Sequence, residues 1–274
     1  MLGAIAGDII GSVHERGKVK TKDFPLFVEG SNFTDDTVLS VAVADAIMNN
    51  RLIEGSYVST LKQYGKDYFS VGYGASFKQW IVADTTTPYN SWGNGSAMRV
   101  SPVGFAFDDV DTVLDIAAQT AVVTHNHPEG IKGAQATAAA VLLARQGHSK
   151  ADIKTYVEQA FGYDLSRSLK EIRPSYTFHV SCQKSVPESI IAFLESTDFE
   201  DALRNAISLG GDADTMAAIA GGIAEAFYGG VPNGIATEVF KRLDDPLQQM
   251  TLRSHLARLH KMLPQCLLRL RPSY

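Results

Sequence analysis

The chain has 274 residues, 45% of them hydrophobic and 20% charged, with 25 Lys and Arg against 30 Asp and Glu. That length holds one large domain or two small ones and can bury a full core, while the composition excludes disorder. A net charge of -5 argues against a nucleic-acid backbone as the main partner. Two cysteines, Cys182 and Cys266, can build neither a disulfide framework nor a four-cysteine zinc site. The chain therefore reads as reduced and cytoplasmic, and any metal must be held by oxygen or histidine.

In chain order, the opening run Met1 to Ile10 lacks a basic leader and carries Asp8 among apolar residues, so it does not read as a signal peptide. Apolar residues at helical spacing mark amphipathic helices around Val38 to Ile47, Val113 to Val122, Ile190 to Leu194 and Leu203 to Ile207. Gly133 to Ala144 and Ala217 to Phe227 are rich in Ala and Gly, which lets a helix approach its neighbours closely, and both are expected at the centre. Only Tyr176 to Val180 alternates as a strand would. Thr85 to Pro88 and Asn233-Gly234 read as loops between helices. No run approaches the roughly 18 apolar residues that a membrane span requires. No linker or low-complexity tract divides the chain, so the expectation is an all-α, single-domain bundle over residues 1–274, with no membrane partner.

Two segments echo each other ahead of helical runs: Thr34-Asp35-Asp36-Thr37 and Asp212-Ala213-Asp214-Thr215. One aspartate suffices to cap a helix. A second such pair, at the entry of a small-residue helix, places extra carboxylates where burial demands a counter-charge. Four carboxylates and two threonine hydroxyls are hard oxygen ligands, suited to two divalent cations, Mg²⁺ or Mn²⁺. An EF-hand fails because Met216 and Ala217 stand where its loop needs Asp or Asn and Gly. There is also no Walker A loop, G-x-S-x-G elbow or H-E-x-x-H helix.

Three further segments carry chemistry. Ser91-Trp92-Gly93-Asn94-Gly95 can present backbone N–H groups to an anion or form an ordinary turn, and Trp92 can stack on a ligand or sit in the core. His125 and His127, ahead of Pro128, can hydrogen-bond a ligand, bind metal or cap a helix. Glu15 follows an apolar, glycine-containing stretch, where a surface carboxylate is the ordinary reading.

Taken together, Gly7-Asp8 to Glu15, Phe33 to Thr37, Gly93 to Arg99, Thr124 to Pro128 and Gly210 to Thr215 resemble the ADP-ribosylglycohydrolase family in order and spacing. The resemblance implies an orthogonal all-α bundle with a dinuclear Mg²⁺ or Mn²⁺ centre at the base of an ADP-ribose cleft. It implies Thr34, Asp35, Asp36, Asp212, Asp214 and Thr215 as metal ligands. Glu15 matches a glutamate at the metal site, and Ser91, Trp92, Gly93, Asn94 and Gly95 match the loop that grips the diphosphate and distal ribose. His125 matches a histidine near that ribose. The implied activity is hydrolysis of the C1″ bond from ADP-ribose to an acceptor, with Asp36 or Glu15 transferring the proton. The alternatives are a hydrolase of O-acetyl-ADP-ribose or another ribose-phosphate metabolite, and a non-catalytic structural member. All six ligand positions are intact, which favours catalysis.

Overall fold

The structure is a computed structural model that describes residues 1–17, 19–49 and 56–269, with side chains to residue 257. The side chain of Cys266 therefore lies outside the described residues. The first helices are α1 (Leu2–Gly11), α2 (Asp35–Met48), α3 (Ser56–Asp67), α4 (Ala75–Val82) and α5 (Gly95–Met98). Next come α6 (Ser101–Ala106), α7 (Val110–Val122), α8 (Pro128–Arg145), α9 (Lys150–Phe161) and α10 (Leu169–Ile172). The chain closes with α11 (Cys182–Leu194), α12 (Phe199–Ile207), α13 (Ala213–Phe227), α14 (Asn233–Phe240) and α15 (Asp245–Arg269). No strand occurs among the described residues, so the fold is all-α, as the periodicity requires.

Side-chain caps start many of these helices. Asp109 accepts from the Thr112 N–H and Asp198 from the Asp201 N–H, while Ser149 and Ser168 form reciprocal capping boxes with Asp152 and Glu171. Each cap satisfies one of the N–H groups that a helix start leaves unpaired.

Tyr176 to Val180 joins no sheet, as one short alternating run alone cannot, and its end pairs with the glycine loop. The Asn94 N–H donates to Val180 O at 2.8 Å, the Cys182 N–H to Trp92 O at 3.0 Å, and Gly93 and Ser181 form an isolated antiparallel bridge. Asn233-Gly234 is not a loop but the first turn of α14, with Pro232 at the N-cap. The first turn leaves its N–H groups without intrahelical partners, so the sequence there is less constrained than in a helix interior.

The centre of the molecule is α13, buried along its whole length from Ala213 to Ala226, and α8, buried from Ala134 over most of its length. Helices α1 and α13 pack against each other more extensively than any other pair. Gly3, Gly7 and Gly11 lie one turn apart on the face of α1 that meets α13. A Cβ at Gly7 would sit 2.1 Å from Ala217 O, and one at Gly3 2.2 Å from Gly221 O. At Gly11 it would meet Asp214 Cα at 2.5 Å. Backbone therefore touches backbone along this seam, and no rotamer change can make room.

Gly7→Ala is expected to destabilise the protein by about 3 kcal/mol through overpacking. Gly234→Ala, where an added Cβ meets nothing within 4 Å, should leave stability unchanged or raise it. Denaturant titration of both variants checks this, and equal midpoints would contradict the backbone contact.

Candidate metal centre and ligand cleft

The seam between α1 and α13 delivers Asp8 to the start of α2. Asp8 is fully buried and accepts four hydrogen bonds there. The Thr34 N–H donates at 2.9 Å, the Thr34 hydroxyl at 2.7 Å and the Thr37 N–H at 3.0 Å, with the Thr37 hydroxyl as the fourth donor. Thr34 is the N-cap of α2, its hydroxyl accepting from the Asp36 N–H at 3.3 Å. A carboxylate from one helix thus caps another and fixes where Asp35 and Asp36 stand.

From the other side, Gly210 turns the chain with φ of 65°, a left-handed conformation that favours glycine, and α13 begins immediately after Asp212. The Thr215 hydroxyl donates to Asp36 Oδ2 at 3.3 Å and so joins the two helix starts. Carboxylate oxygens of Asp8, Asp36 and Asp214 lie within 4.8 Å of one another, and those of Glu15, Asp212 and Asp214 do likewise. Asp214 belongs to both groups, so five carboxylates form one continuous cluster. Asp35 belongs to neither group and stands half-buried at its edge.

Of the expected ligands, Asp36, Asp212 and Asp214 come together in this cluster and Glu15 joins them, while Thr34 and Thr215 bond its members and Asp35 stands at its edge. Asp8 enters the cluster although sequence reasoning gave it no role; its signal was a lone charge inside an apolar run. Glu15 reaches Asp212 and Asp214 from the turn after the 3₁₀ segment Ser12–His14. Farther along, Lys20 fastens this segment by donating to the carbonyls of Tyr176 and Leu209.

No ion pair among the described residues includes any of these carboxylates. Burial accordingly pushes Asp36 well above the usual carboxylate range, helped by the charges of Asp214 and Asp8. Asp214 is raised in the same way, by burial and then by Asp212. Asp212 is raised by burial against an opposing hydrogen bond from the Asn94 amide, 2.8 Å away. Burial raises Asp8 despite its four donors, and Asp35 is raised to about 7 by burial and the Asp8 charge. Asp36 Oδ1 is buried with no hydrogen-bond partner. An orphaned buried oxygen within a cluster of uncompensated carboxylates fits a hard divalent cation, since only oxygen donors are present and positive charge is what the cluster lacks.

The loop Ser91 to Gly95 meets the cluster through Asn94, whose amide donates to Asp212. The Ser91 hydroxyl accepts from the Gly93 N–H at 3.1 Å, and Asn94 is buried through its bond to Asp212. Trp92 is 48% exposed, which settles it outside the core. The two histidines divide their roles. His127 caps α8, its Nδ1 accepting from the Glu129 N–H at 3.1 Å. His125 is buried behind the loop, with Nε2 directed at the positions where a Cβ on Gly95 or Gly93 would stand, 3.1 and 3.6 Å away.

The family model for ADP-ribosylglycohydrolase matches residues 1–265. The chain belongs to the ADP-ribosylglycohydrolase family. It is 29% identical over 312 aligned positions to ADP-ribosylhydrolase ARH3 of Gallus gallus, covering 84% of each chain, and 28% identical to the Homo sapiens protein of that name with the same coverage. It is 25% identical to ADP-ribosylarginine hydrolase Tri1 of Pseudomonas putida, across 84% of this chain and 69% of that one. Among solved structures, an "ADP-ribosylglycohydrolase-related protein complex" superimposes with a TM-score of 0.69 at 22% identity, covering 92% of this chain and 95% of the other. No helix among the described residues is long and apolar enough to cross a membrane.

The raised Asp35 has a pH consequence. Between the ordinary value of 3.8 and about 7, the native protein holds a proton there that the unfolded chain has released. The contribution of this group to stability is therefore lost as pH rises through that window. In EDTA, Asp35→Asn should melt close to wild type at pH 4 and progressively above it as pH approaches 7. A difference that stays constant across the window would contradict the shift.

Proposed function

We propose that this protein, as one catalytic domain over residues 1–274, hydrolyses the C1″ glycosidic bond joining ADP-ribose to an acceptor and so reverses ADP-ribosylation. The observation that carries this reading is the cluster of uncompensated buried carboxylates facing a glycine loop that can take an anion. The acceptor is a protein side chain, such as arginine or serine, or a small molecule or nucleobase. The family relationship supports a hydrolase, and the names of its relatives support ADP-ribosylated substrates.

Two divalent cations, Mg²⁺ or Mn²⁺, would be held by Asp8, Asp36, Asp212, Asp214 and Glu15, with Thr34, Asp35 and Thr215 lining the same place. When bound, such cations polarise ribose hydroxyls and lower the pKa of a water. The chain's own groups do the rest. The loop Ser91 to Gly95 receives the diphosphate and distal ribose, and the exposed Trp92 ring stacks on the ligand. His125 lies behind the same loop. Positive charge develops on the ribose as C1″ loses its leaving group, and carboxylates already fixed by helix starts stabilise it without reorganising.

Two carboxylates compete for the proton transfer. Asp36 is only 3% exposed and is tied to Thr215, whereas Glu15 is half-buried and meets both the cluster and solvent. Glu15 therefore takes the proton from the attacking water and passes it on to the departing acceptor.

Turnover of ADP-ribosyl-arginine, ADP-ribosyl-serine, O-acetyl-ADP-ribose and an ADP-ribosylated nucleobase, each with Mg²⁺, Mn²⁺ or EDTA, tests the reading and selects the acceptor. Activity is expected with at least one glycosidic substrate and none in EDTA; cleavage of the acetyl ester alone would favour the metabolite alternative. Asp36→Asn and Asp214→Asn should each lower kcat by at least about 100-fold, the scale of losing a fixed charge at a reacting centre. Near-normal turnover in either would refute the assignment.

Mg²⁺ or Mn²⁺ should also raise the melting temperature of wild type, because a ligand that binds only the native state stabilises it. Asp214→Asn should lose most of that rise. A shift that the variant retains in full would place the cation elsewhere.

A further inference from the structure

His125 is one residue away from an unusual buried charge. Arg99, at the C-terminal end of α5, is fully buried and makes no ion pair among the described residues. Its Nη2 donates to Thr120 O at 2.8 Å and to Thr124 Oγ1 at 2.9 Å. Nε and Nη1 have no partner. Burial lowers the guanidinium to about 10, which leaves it a cation at neutral pH. Neither the capping of α8 nor the carboxylate cluster uses this residue.

The hydrogen-bond inventory gives it a role. Thr124 Oγ1 lies 2.8 Å from His125 Nδ1. A guanidinium only donates, so Thr124 accepts from Arg99 and its own hydrogen points away from that charge. The Tyr89 ring packs on the same side, 6.0 Å from that of His125. With one lone pair of the threonine oxygen held by Arg99 at 2.9 Å, the hydroxyl hydrogen is directed to the other side, where His125 Nδ1 stands 2.8 Å away. The field of Arg99 acts in the same sense, because a cation on that side favours a ring lone pair facing it. Which nitrogen of a histidine carries the hydrogen is set by the bond that the other one makes.

We propose that Arg99, acting through Thr124, fixes His125 in the tautomer with hydrogen on Nε2 and so makes the ring a hydrogen-bond donor toward a ligand on the Gly93 to Gly95 loop. Arg99 and Thr124 are positioning residues, and the group they aim is matched to the oxygens of a phosphate or ribose. The identity of that ligand rests on the function proposed above; the tautomer does not.

Nitrogen-15 spectra of the full chain labelled at histidine, with His125 assigned by its disappearance in His125→Gln, test the two separately. The expected result at pH 7 is a protonated Nε2 and a bare Nδ1 in wild type and in Thr124→Ser. Thr124→Val, which keeps the shape and removes the hydroxyl, should shift hydrogen toward Nδ1. In calorimetry with free ADP-ribose it should weaken binding about tenfold, the scale of one lost hydrogen bond, while Thr124→Ser stays within about threefold. Hydrogen on Nδ1 in wild type, or a His125 spectrum unchanged by Thr124→Val, overturns the proposal even in a protein that binds ADP-ribose normally. The expected tautomer in a protein that fails to bind ADP-ribose upholds the relay and overturns the ligand reading instead.

Discussion

The contact on which the rest of the structure depends is the glycine seam of α1 against α13. Because Gly3, Gly7 and Gly11 carry no side chain, the backbones meet at distances no Cβ would permit. The consequence is electrostatic as much as steric. Asp8 projects from α1 and Asp214 from the first turn of α13, so the same approach that removes cavity between the helices forces two carboxylates into one place. A wider seam, filled by alanine or valine, would separate them.

Bringing like charges together in a dry interior is unfavourable, and the chain offsets it with backbone dipoles before any cation is considered. Asp8 takes four donors from the start of α2, and Asp35, Asp36 and Asp214 all lie in first turns, where the helix dipole is positive. Those contributions do not close the balance, because Asp36 and Asp214 remain raised by burial and neighbouring carboxylates, and Asp212 by burial and the Glu15 charge. A protein that keeps carboxylates in this state without an arginine or lysine among them has left the positive charge to be supplied from outside. Buried charge retained against stability is the mark of a functional site.

How much of this was legible in the sequence follows from which forces are local. Helix periodicity and the Ala-rich and Gly-rich central helices are readable because burial imprints a 3.6-residue pattern on each segment separately. The paired Thr-Asp-Asp-Thr and Asp-Ala-Asp-Thr segments are readable because a helix start has its own residue preferences. Asp8 shows no function in the sequence because its partners, Thr34 and Thr37, lie 26 and 29 residues away, and nothing near position 8 records that distance. The partner of the short Tyr176 to Val180 run is hidden for the same reason. Alternation announces an extended backbone, and the backbone there is indeed free of helix, but its neighbour is the loop around Gly93 and not another strand. Arg99 was visible only as part of a motif; that it is buried with no anion beside it is a fact of tertiary structure alone.

The candidate site is polarised by these arrangements. One wall is the carboxylate cluster, negative and suited to a cation that in turn binds hydroxyls. The other is the loop from Ser91 to Gly95, tied by the Ser91 N–H to the Thr124 carbonyl, with His125 behind it. Asn94 spans the two, its backbone N–H bonded to Val180 O and its side-chain amide to Asp212. On the proposed function, the ligand brings hydroxyls to the cluster and negative charge to the loop. ADP-ribose, with its distal ribose joined directly to a diphosphate, has that distribution. A simple sugar lacks the anionic end and an isolated phosphate lacks the vicinal hydroxyls, so each would engage one wall and leave the other's charge uncompensated.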